Sequence, residues 1–316
     1  MKIVSGSSNR PLAEKIATHL GLTLTPLEIF IFPDGERRIQ VQESVIEEDC
    51  IIVQPTNPPV DTNYIELFLI ADALKRSGAR DITVVMPYVG YQRQDHIFRD
   101  GEAVSLEVMV KAIESLGGQK MIAFDLHSIK IPEVFTIPLK HLSALPIFAD
   151  CIRKQGWTKE ETVLVTPDMG GIRRIKILSE LLGDMPYLTI IKNRDLATGH
   201  VEAEGFGDEI SIALSHKKYK RAVIVDDMIS SGGTIVKAAD LLTENGMEEL
   251  YTFVTHPIFS AEAAEILQNS VVKKVFVTDG VFIPKEKQFE KLEVLSIADM
   301  IANELNSQNS NLKTTT

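Results

Sequence analysis

The stretch that decides the fold is Val223–Thr234, VIVDDMISSGGT. Val223, Ile224 and Val225 form a short, continuously apolar run, the pattern of a strand buried on both faces of a parallel sheet. Asp226 and Asp227 follow at its carboxyl end, the edge at which open α/β sheets present ligands. Ser230, Ser231, Gly232, Gly233 and Thr234 then supply hydroxyls, small side chains and backbone N–H groups ahead of a helix predicted over 235–245. Such a turn wraps a phosphate in backbone donors and sets the helix dipole against its charge. The paired carboxylates have the wrong sign for a phosphate and match instead a sugar's hydroxyls or a bridging Mg²⁺. A phosphorylated sugar beside a metal-chelated diphosphate satisfies the whole segment. The competing reading, an ordinary strand–turn–helix crossover, leaves the acids and hydroxyls without a purpose. No G-x-x-x-x-G-K-[ST] is present, so the turn is not a Walker A loop.

Working outward, the same rhythm of short apolar runs and amphipathic helices recurs on both sides. Strands are predicted over 2–5, 51–54, 82–86 and 121–124, with helices over 11–20, 61–77 and 105–116 between them. Asp61 is placed to cap the second of these helices. A helix over 146–153 carries the chain into a second series. Its strands are 163–165, 188–191, 223–225, 252–255, 274–277 and 294–296, and its helices 171–182, 235–245, 261–270 and 297–305. Alternation of this kind is the βαβ pattern of a mostly parallel sheet. The reading is α/β, with one domain over 1–145, a similar one over 146–305 and a polar, frayed tail over 306–316. Residues 193–207 are either a hairpin connection or a mobile loop, and their glycines and mixed charges favour the loop.

Composition narrows the class. In 316 residues, 44 acids against 33 Lys and Arg give a formal charge of −11, a poor background for nucleic-acid binding. Cys50 and Cys151 are the only cysteines, too few for a disulfide framework or a thiolate metal cluster. No stretch approaches a membrane span, and the first residues, MKIVSGSSN, read as a strand and not a signal peptide. A cytoplasmic enzyme is the expectation.

Polar groups gather where strands end. Phe32-Pro33-Asp34-Gly35-Glu36 is a strong turn signal after an apolar run; it is either only a turn or a display of Phe32, Asp34 and Glu36 to a base. Arg93, Gln94 and Asp95 fall in the loop after the strand over 82–86, where Arg93 can fork onto a phosphate. His127, in Asp125-Leu126-His127-Ser128, can ligate Mg²⁺, touch a phosphate or cap its own loop. Asp168 precedes Gly170-Gly171 and a helix bearing Arg173, Arg174 and Lys176, and an N-cap is its structural reading. Lys192 and Arg194 end another strand, as positive groups suited to charge developing on phosphoryl oxygens or as a surface pair. H-E-x-x-H, G-x-S-x-G and an initial G-x-G-x-x-G are absent.

The segment over 223–234 resembles the pentose-phosphate motif of phosphoribosyltransferases. FPDGE at 32–36, RQD at 93–95, DLHS at 125–128, PDMGG at 167–171, KNR at 192–194 and VDDMISSGGT at 225–234 together resemble the ribose-phosphate diphosphokinase (phosphoribosyl pyrophosphate synthetase) family. The resemblance implies two phosphoribosyltransferase-like domains, an ATP-side one over 1–145 and a ribose-5-phosphate-binding one over 146–305. It implies that Phe32, Asp34 and Glu36 contact adenine and ribose of a neighbouring subunit's ATP, and that Arg93, Gln94, Asp95 and His127 bind ATP. His127 and Asp168 are implied Mg²⁺ positions around the diphosphate. Asp168, Asp226 and Asp227 would face the ribose 5-phosphate, with Ser230, Ser231, Gly232, Gly233 and Thr234 around its 5-phosphate. Lys192 and Arg194 would be the catalytic pair. The implied reaction is Mg²⁺-dependent transfer of the β,γ-diphosphoryl group of ATP to the C1 hydroxyl of ribose 5-phosphate, in a self-associated, hexamer-type assembly. Ser230 stands where many members carry an acid, and IKIPEVF follows DLHS where QIQGFF-like text is usual.

Overall fold

A computed structural model describes residues 1–194, 201–206 and 219–313. The chain divides into two compact units. One comprises Met1–Leu142, Asp279–Phe282 and Ser296–Thr316; the other comprises Ser143–Thr278 and Ile283–Leu295.

The first unit is built on β1 (Lys2–Ser5), β4 (Asp49–Val53), β5 (Asp81–Val85), β6 (Lys120–Phe124) and β7 (Leu139–Leu142). They pair in parallel in the order β1-β4-β5-β6-β7, so the chain steps across the sheet in one direction. Helices α1 (Arg10–His19), α2 (Val60–Arg76) and α3 (Ser105–Ser115) are the crossovers. The inner strands are buried because their residues are apolar on both faces: Ile51, Ile52, Val53, Val84, Val85, Ile122 and Ala123 are all within the core. An antiparallel hairpin, β2 (Leu27–Ile31) and β3 (Arg37–Val41), adds to this unit and presents the 32–36 turn at its tip.

The second unit contains β8 (Thr162–Thr166), β9 (Tyr187–Arg194), β10 (Val201–Phe206), β11 (Arg221–Ile229), β12 (Glu249–Pro257), β13 (Lys274–Thr278) and β14 (Leu292–Leu295). Their order is β10-β9-β8-β11-β12-β13-β14, with only β10 antiparallel. Helices α4 (Leu145–Lys154), α5 (Ile172–Leu181), α6 (Gly233–Glu244) and α7 (Ala263–Asn269) flank it. Alternation along β11 serves both faces of the sheet. Ala222 and Ile224 pack with α6 residues such as Ala238 and Leu242, while Val223 and Val225 pack with Phe148, Phe253 and Phe276.

Several expectations are corrected. Residues 201–206 pair with β9 as a hairpin, Val201 opposite Arg194 and Ala203 opposite Lys192, where composition favoured a mobile loop. Residues 195–200 and 207 of that segment lie outside the described residues. The closing helix α8 (Ala298–Lys313) belongs to the first unit, not to a domain over 146–305, and it continues to Lys313 where a frayed tail was expected from 306. It packs with α1, its residues Ile301, Ala302 and Leu305 are buried, and its acids Glu304 and Asp299 pair with Lys140 and His19. Asp61 does not cap α2, which starts at Val60 after Pro59; its carboxylate accepts the Tyr91 hydroxyl instead. Among the described residues no helix is long and apolar enough to cross a membrane.

Candidate active site

In the second unit the strand order reverses between β8 and β11: the connection from β8 leads to β9 on one side, and that from β11 leads to β12 on the opposite side. A reversal of this kind opens a crevice beyond the carboxyl ends of the two strands. The pairing of β11 with β8 ends at Ile224–Val165, whereas its pairing with β12 continues to Ile229. Asp226 and Asp227 therefore occupy strand residues whose β8-facing edge is open. Asp168 follows the end of β8 on the other side of the same reversal.

Asp168 caps the short turn Met169–Gly171: its Oδ1 accepts the Gly170 N–H at 3.0 Å, and the Thr166 hydroxyl donates to its carbonyl at 3.1 Å. Gly171 is required there, because a Cβ would sit 1.9 Å from Thr166 Oγ1. The helix that follows delivers Arg174, whose Nη1 lies 3.6 Å from Asp226 Oδ1 and Nη2 3.8 Å from Asp227 Oδ2. Burial first, and then the adjacent Asp227 carboxylate, raise the Asp226 carboxyl well above its ordinary value, while Arg174 pulls the other way. Asp168 adds to the rise. One guanidinium among Asp168, Asp226 and Asp227 leaves an excess of negative charge that a divalent cation or sugar hydroxyls would offset.

The turn after β11 is formed as the sequence implies. Gly232 has φ +83°, a left-handed conformation open to glycine, and it is the N-cap of α6 with no capping side chain. The first-turn N–H groups of the helix are thus left for an anion. Ser231 and Thr234 are exposed at this turn and Gly233 is half-buried. Ser230 differs, since its hydroxyl bonds the Ser260 hydroxyl at 2.9 Å and its carbonyl accepts the Ser260 N–H. Lys192 and Arg194 lie on β9, the latter at its last residue.

In the first unit the candidate groups lie on neighbouring loops. The hairpin tip is preformed: Phe32 N–H donates to Glu36 O, Gly35 N–H to Phe32 O, and Glu36 N–H to Asp34 Oδ1 at 3.1 Å. Phe32, Asp34 and Glu36 are all exposed, and Phe32 meets Phe30 edge-on at 4.9 Å. Arg93 and Gln94 are exposed on the loop after β5, with Asp95 half-buried and 2.6 Å from His96 Nδ1. His127 is exposed on the loop after β6, where the Gln92 side chain holds its backbone N–H at 3.0 Å.

Sequence reasoning missed the support beneath this unit. Glu66, wholly buried on α2, accepts Ser7 N–H, the Ser7 hydroxyl, Gln54 Nε2 and Arg37 Nη1. Gln54 Oε1 in turn accepts the Ser8 N–H and hydroxyl. This network ties the loop after β1, the end of β4 and the tip end of the β2–β3 hairpin to one helix. Glu66 appears in the sequence as an acid between Ile65 and Leu67 in the apolar stretch of the helix, and that mismatch was its only signal. Arg174 was visible in the helix after Asp168, without an indication of which acids it would meet.

Comparison with known proteins gives a consistent result. A family model described as the N-terminal domain of ribose phosphate pyrophosphokinase matches residues 1–117, and the phosphoribosyl transferase domain matches 144–286. The ribose-phosphate pyrophosphokinase of Fusobacterium nucleatum subsp. nucleatum is 37% identical over 303 residues, 96% of this chain and 93% of that relative. Ribose-phosphate pyrophosphokinase 2, chloroplastic, of Oryza sativa subsp. japonica is 38% identical over 302 residues, 96% of this chain and 73% of that relative. The crystal structure of phosphoribosylpyrophosphate synthetase from Mycobacterium smegmatis superposes with a TM-score of 0.87 at 29% identity, covering 98% of this chain and 99% of that one. Both units have the phosphoribosyltransferase-like fold, and the chain belongs to the ribose-phosphate pyrophosphokinase family of enzymes.

Proposed function

We propose that this chain transfers the β,γ-diphosphoryl group of ATP to the C1 hydroxyl of D-ribose 5-phosphate, giving 5-phospho-α-D-ribose 1-diphosphate and AMP. The observation that carries the reading is the β11–α6 segment at the strand-order reversal. Asp226 and Asp227 there adjoin an uncapped helix N-terminus with exposed Ser231 and Thr234. Carboxylates accept from ribose hydroxyls, and the helix N–H groups with Ser231, Gly233 and Thr234 receive the 5-phosphate. Ser230 serves this turn through Ser260. Phe32, Asp34, Glu36, Arg93, Gln94, Asp95 and His127 are assigned to ATP, in the unit whose family match is specific to these synthetases.

The reaction asks for positioning and charge neutralisation more than for covalent chemistry. Lys192 and Arg194 are assigned to the charge that grows on the transferred group, and no side chain is needed as a dedicated general base. Among the described residues no group of three or more His, Cys, Asp or Glu could hold a metal ion. Mg²⁺ commonly takes one or two protein ligands and completes its shell with substrate phosphates and water, and the Asp168 carboxylate is an oxygen donor of the kind it takes. His127 and Asp168 are the residues assigned to it. When bound, Mg²⁺ would neutralise the polyphosphate and polarise its phosphoryl oxygens. The exposed apolar Phe30 and Ile31 beside the hairpin tip support a self-associated assembly, of hexamer type, in which this tip serves a neighbour's ATP. The cytoplasm is the compartment proposed.

Formation of AMP and 5-phosphoribosyl 1-diphosphate from Mg-ATP and ribose 5-phosphate tests the reading. A simple phosphoribosyltransferase or a non-catalytic regulatory subunit would form neither, and that result would overturn it.

A further inference from the structure

Gln92 precedes the Arg93–Asp95 loop and is 1% exposed. Its Oε1 accepts the His127 N–H at 3.0 Å, so one amide bridges the loop after β5 to the loop after β6. That bond fixes the amide's orientation, because only the carbonyl end can face an N–H donor. The Nε2 end is left buried with no hydrogen-bond partner among the described residues. An unpaired buried donor costs about as much as the bond at the other end returns. An apolar side chain of the same length would spare that cost but take the acceptor from the His127 N–H, so what the amide supplies is the joint between the two loops.

The loops that Gln92 joins are themselves tightly held. Gly90 N–H donates to Thr56 Oγ1 at 2.7 Å, and the Tyr64 hydroxyl donates to Gly90 O at 2.9 Å. A Cβ at Gly90 would lie 2.7 Å from Thr56 O. Tyr91 adopts φ +62° and Gln94 N–H donates to Tyr91 O at 2.8 Å. Across the bridge, Leu126 N–H donates to His141 Nε2 at 3.0 Å. Two stiff loops joined by one buried amide have their relative placement set at that joint.

We propose that Gln92 is a positioning residue for the nucleotide, holding the His127 loop and the Arg93–Asp95 loop in register so that both engage one ATP. The proposal rests on the assignment of those loops to ATP made above. Gln92→Met keeps the length and removes the acceptor, whereas Gln92→Glu keeps an oxygen opposite the His127 N–H. Calorimetric titration with Mg-ATP and with ribose 5-phosphate, beside thermal unfolding, reads the consequence.

Gln92→Met should weaken Mg-ATP binding about tenfold or more, on the scale of one lost hydrogen bond with its partner left unpaired. Its ribose 5-phosphate affinity should stay within about twofold and its Tm within a few degrees of the unmodified chain. Gln92→Glu should recover much of the ATP affinity. Unchanged ATP binding in Gln92→Met, equal losses for both substrates, or a Gln92→Glu chain no better than Gln92→Met would each overturn the proposal. The titration needs no turnover. An unmodified chain that binds Mg-ATP and yields no AMP would therefore remove the proposed reaction and leave the Gln92 comparison readable.

Discussion

Arg37 Nη1 stands 2.9 Å from Glu66 Oε2, joining the tip end of the β2–β3 hairpin to a carboxylate with no solvent exposure on α2. A buried carboxylate that loses its counter-charge is strongly destabilising even when other donors remain. Arg37→Met should therefore cost about 3 kcal/mol in denaturant unfolding of the chain. Hydrogen exchange should show the amides of β2 and β3 losing protection before those of β4 and β5. Unfolding within 0.5 kcal/mol of the unmodified chain, roughly the scatter of surface substitutions, would mean the pair does not anchor the hairpin.

Asp226 sets stability against function. Its carboxyl is raised above the ordinary value of 3.8 chiefly by burial, then by Asp227. An acid raised in the folded state contributes stability that is fully present below its unfolded pKa and lost as pH rises through its folded one. Above the ordinary carboxyl range, burying this acid thus weakens the unliganded fold. Asp226→Asn should raise Tm at pH 7, with the gain shrinking as pH falls toward 4, and should also weaken ribose 5-phosphate binding. A lower Tm at pH 7 would show that the charge is already compensated by Arg174.

Ser231 and Thr234 offer exposed hydroxyls at the turn that opens α6. Ser231→Ala and Thr234→Ala should raise KM for ribose 5-phosphate several-fold and leave KM for ATP nearly unchanged. Ser230→Ala should act less on substrate and more on the Ser260 contact. Steady-state kinetics with each substrate varied separates these outcomes, and equal effects on both substrates would reassign the turn to the nucleotide.

Lys192 is assigned to charge that develops in the transition state, so its loss should fall on kcat. Lys192→Ala should lower kcat by on the order of 10²-fold or more, the scale for one preorganised electrostatic donor. Lys192→Arg should restore only part of the rate, because a planar fork does not superpose on an ammonium. A KM effect with kcat intact would make Lys192 a uniform binding group.

The inner strands of both sheets were legible because burial on both faces writes them as unbroken apolar runs: IIV at 51–53, VLV at 163–165, VIV at 223–225. Less legible were β3 (RRIQV), β7 (LKHL) and β10 (VEAEGF), a hairpin strand and two edge strands with charged or polar residues in their pattern. The strand-end acids and the glycine turn were readable because each lies next to the strand that presents it. Arg37–Glu66, Gln92–His127 and Arg174–Asp226 were not, since each joins segments far apart in sequence and leaves no local periodicity. The membership of α8 was hidden for the same reason, because an amphipathic helix declares a buried face without naming what covers it.

That membership bears on the order in which a ribosome can finish the protein. Asn9 Nδ2 and Lys15 find their partner on Asp279, and α1, whose buried residues include Leu12, Ala13 and Ile16, packs against a helix that begins at Ala298. The strands of the first unit are translated early, yet its outer layer is among the last parts made. The second unit, nearly continuous in sequence, can fold while the first still waits with α1 uncovered. A nascent chain paused near residue 142 would expose that apolar face to chaperones, and a gene fragment cut there would encode a sheet without its cover.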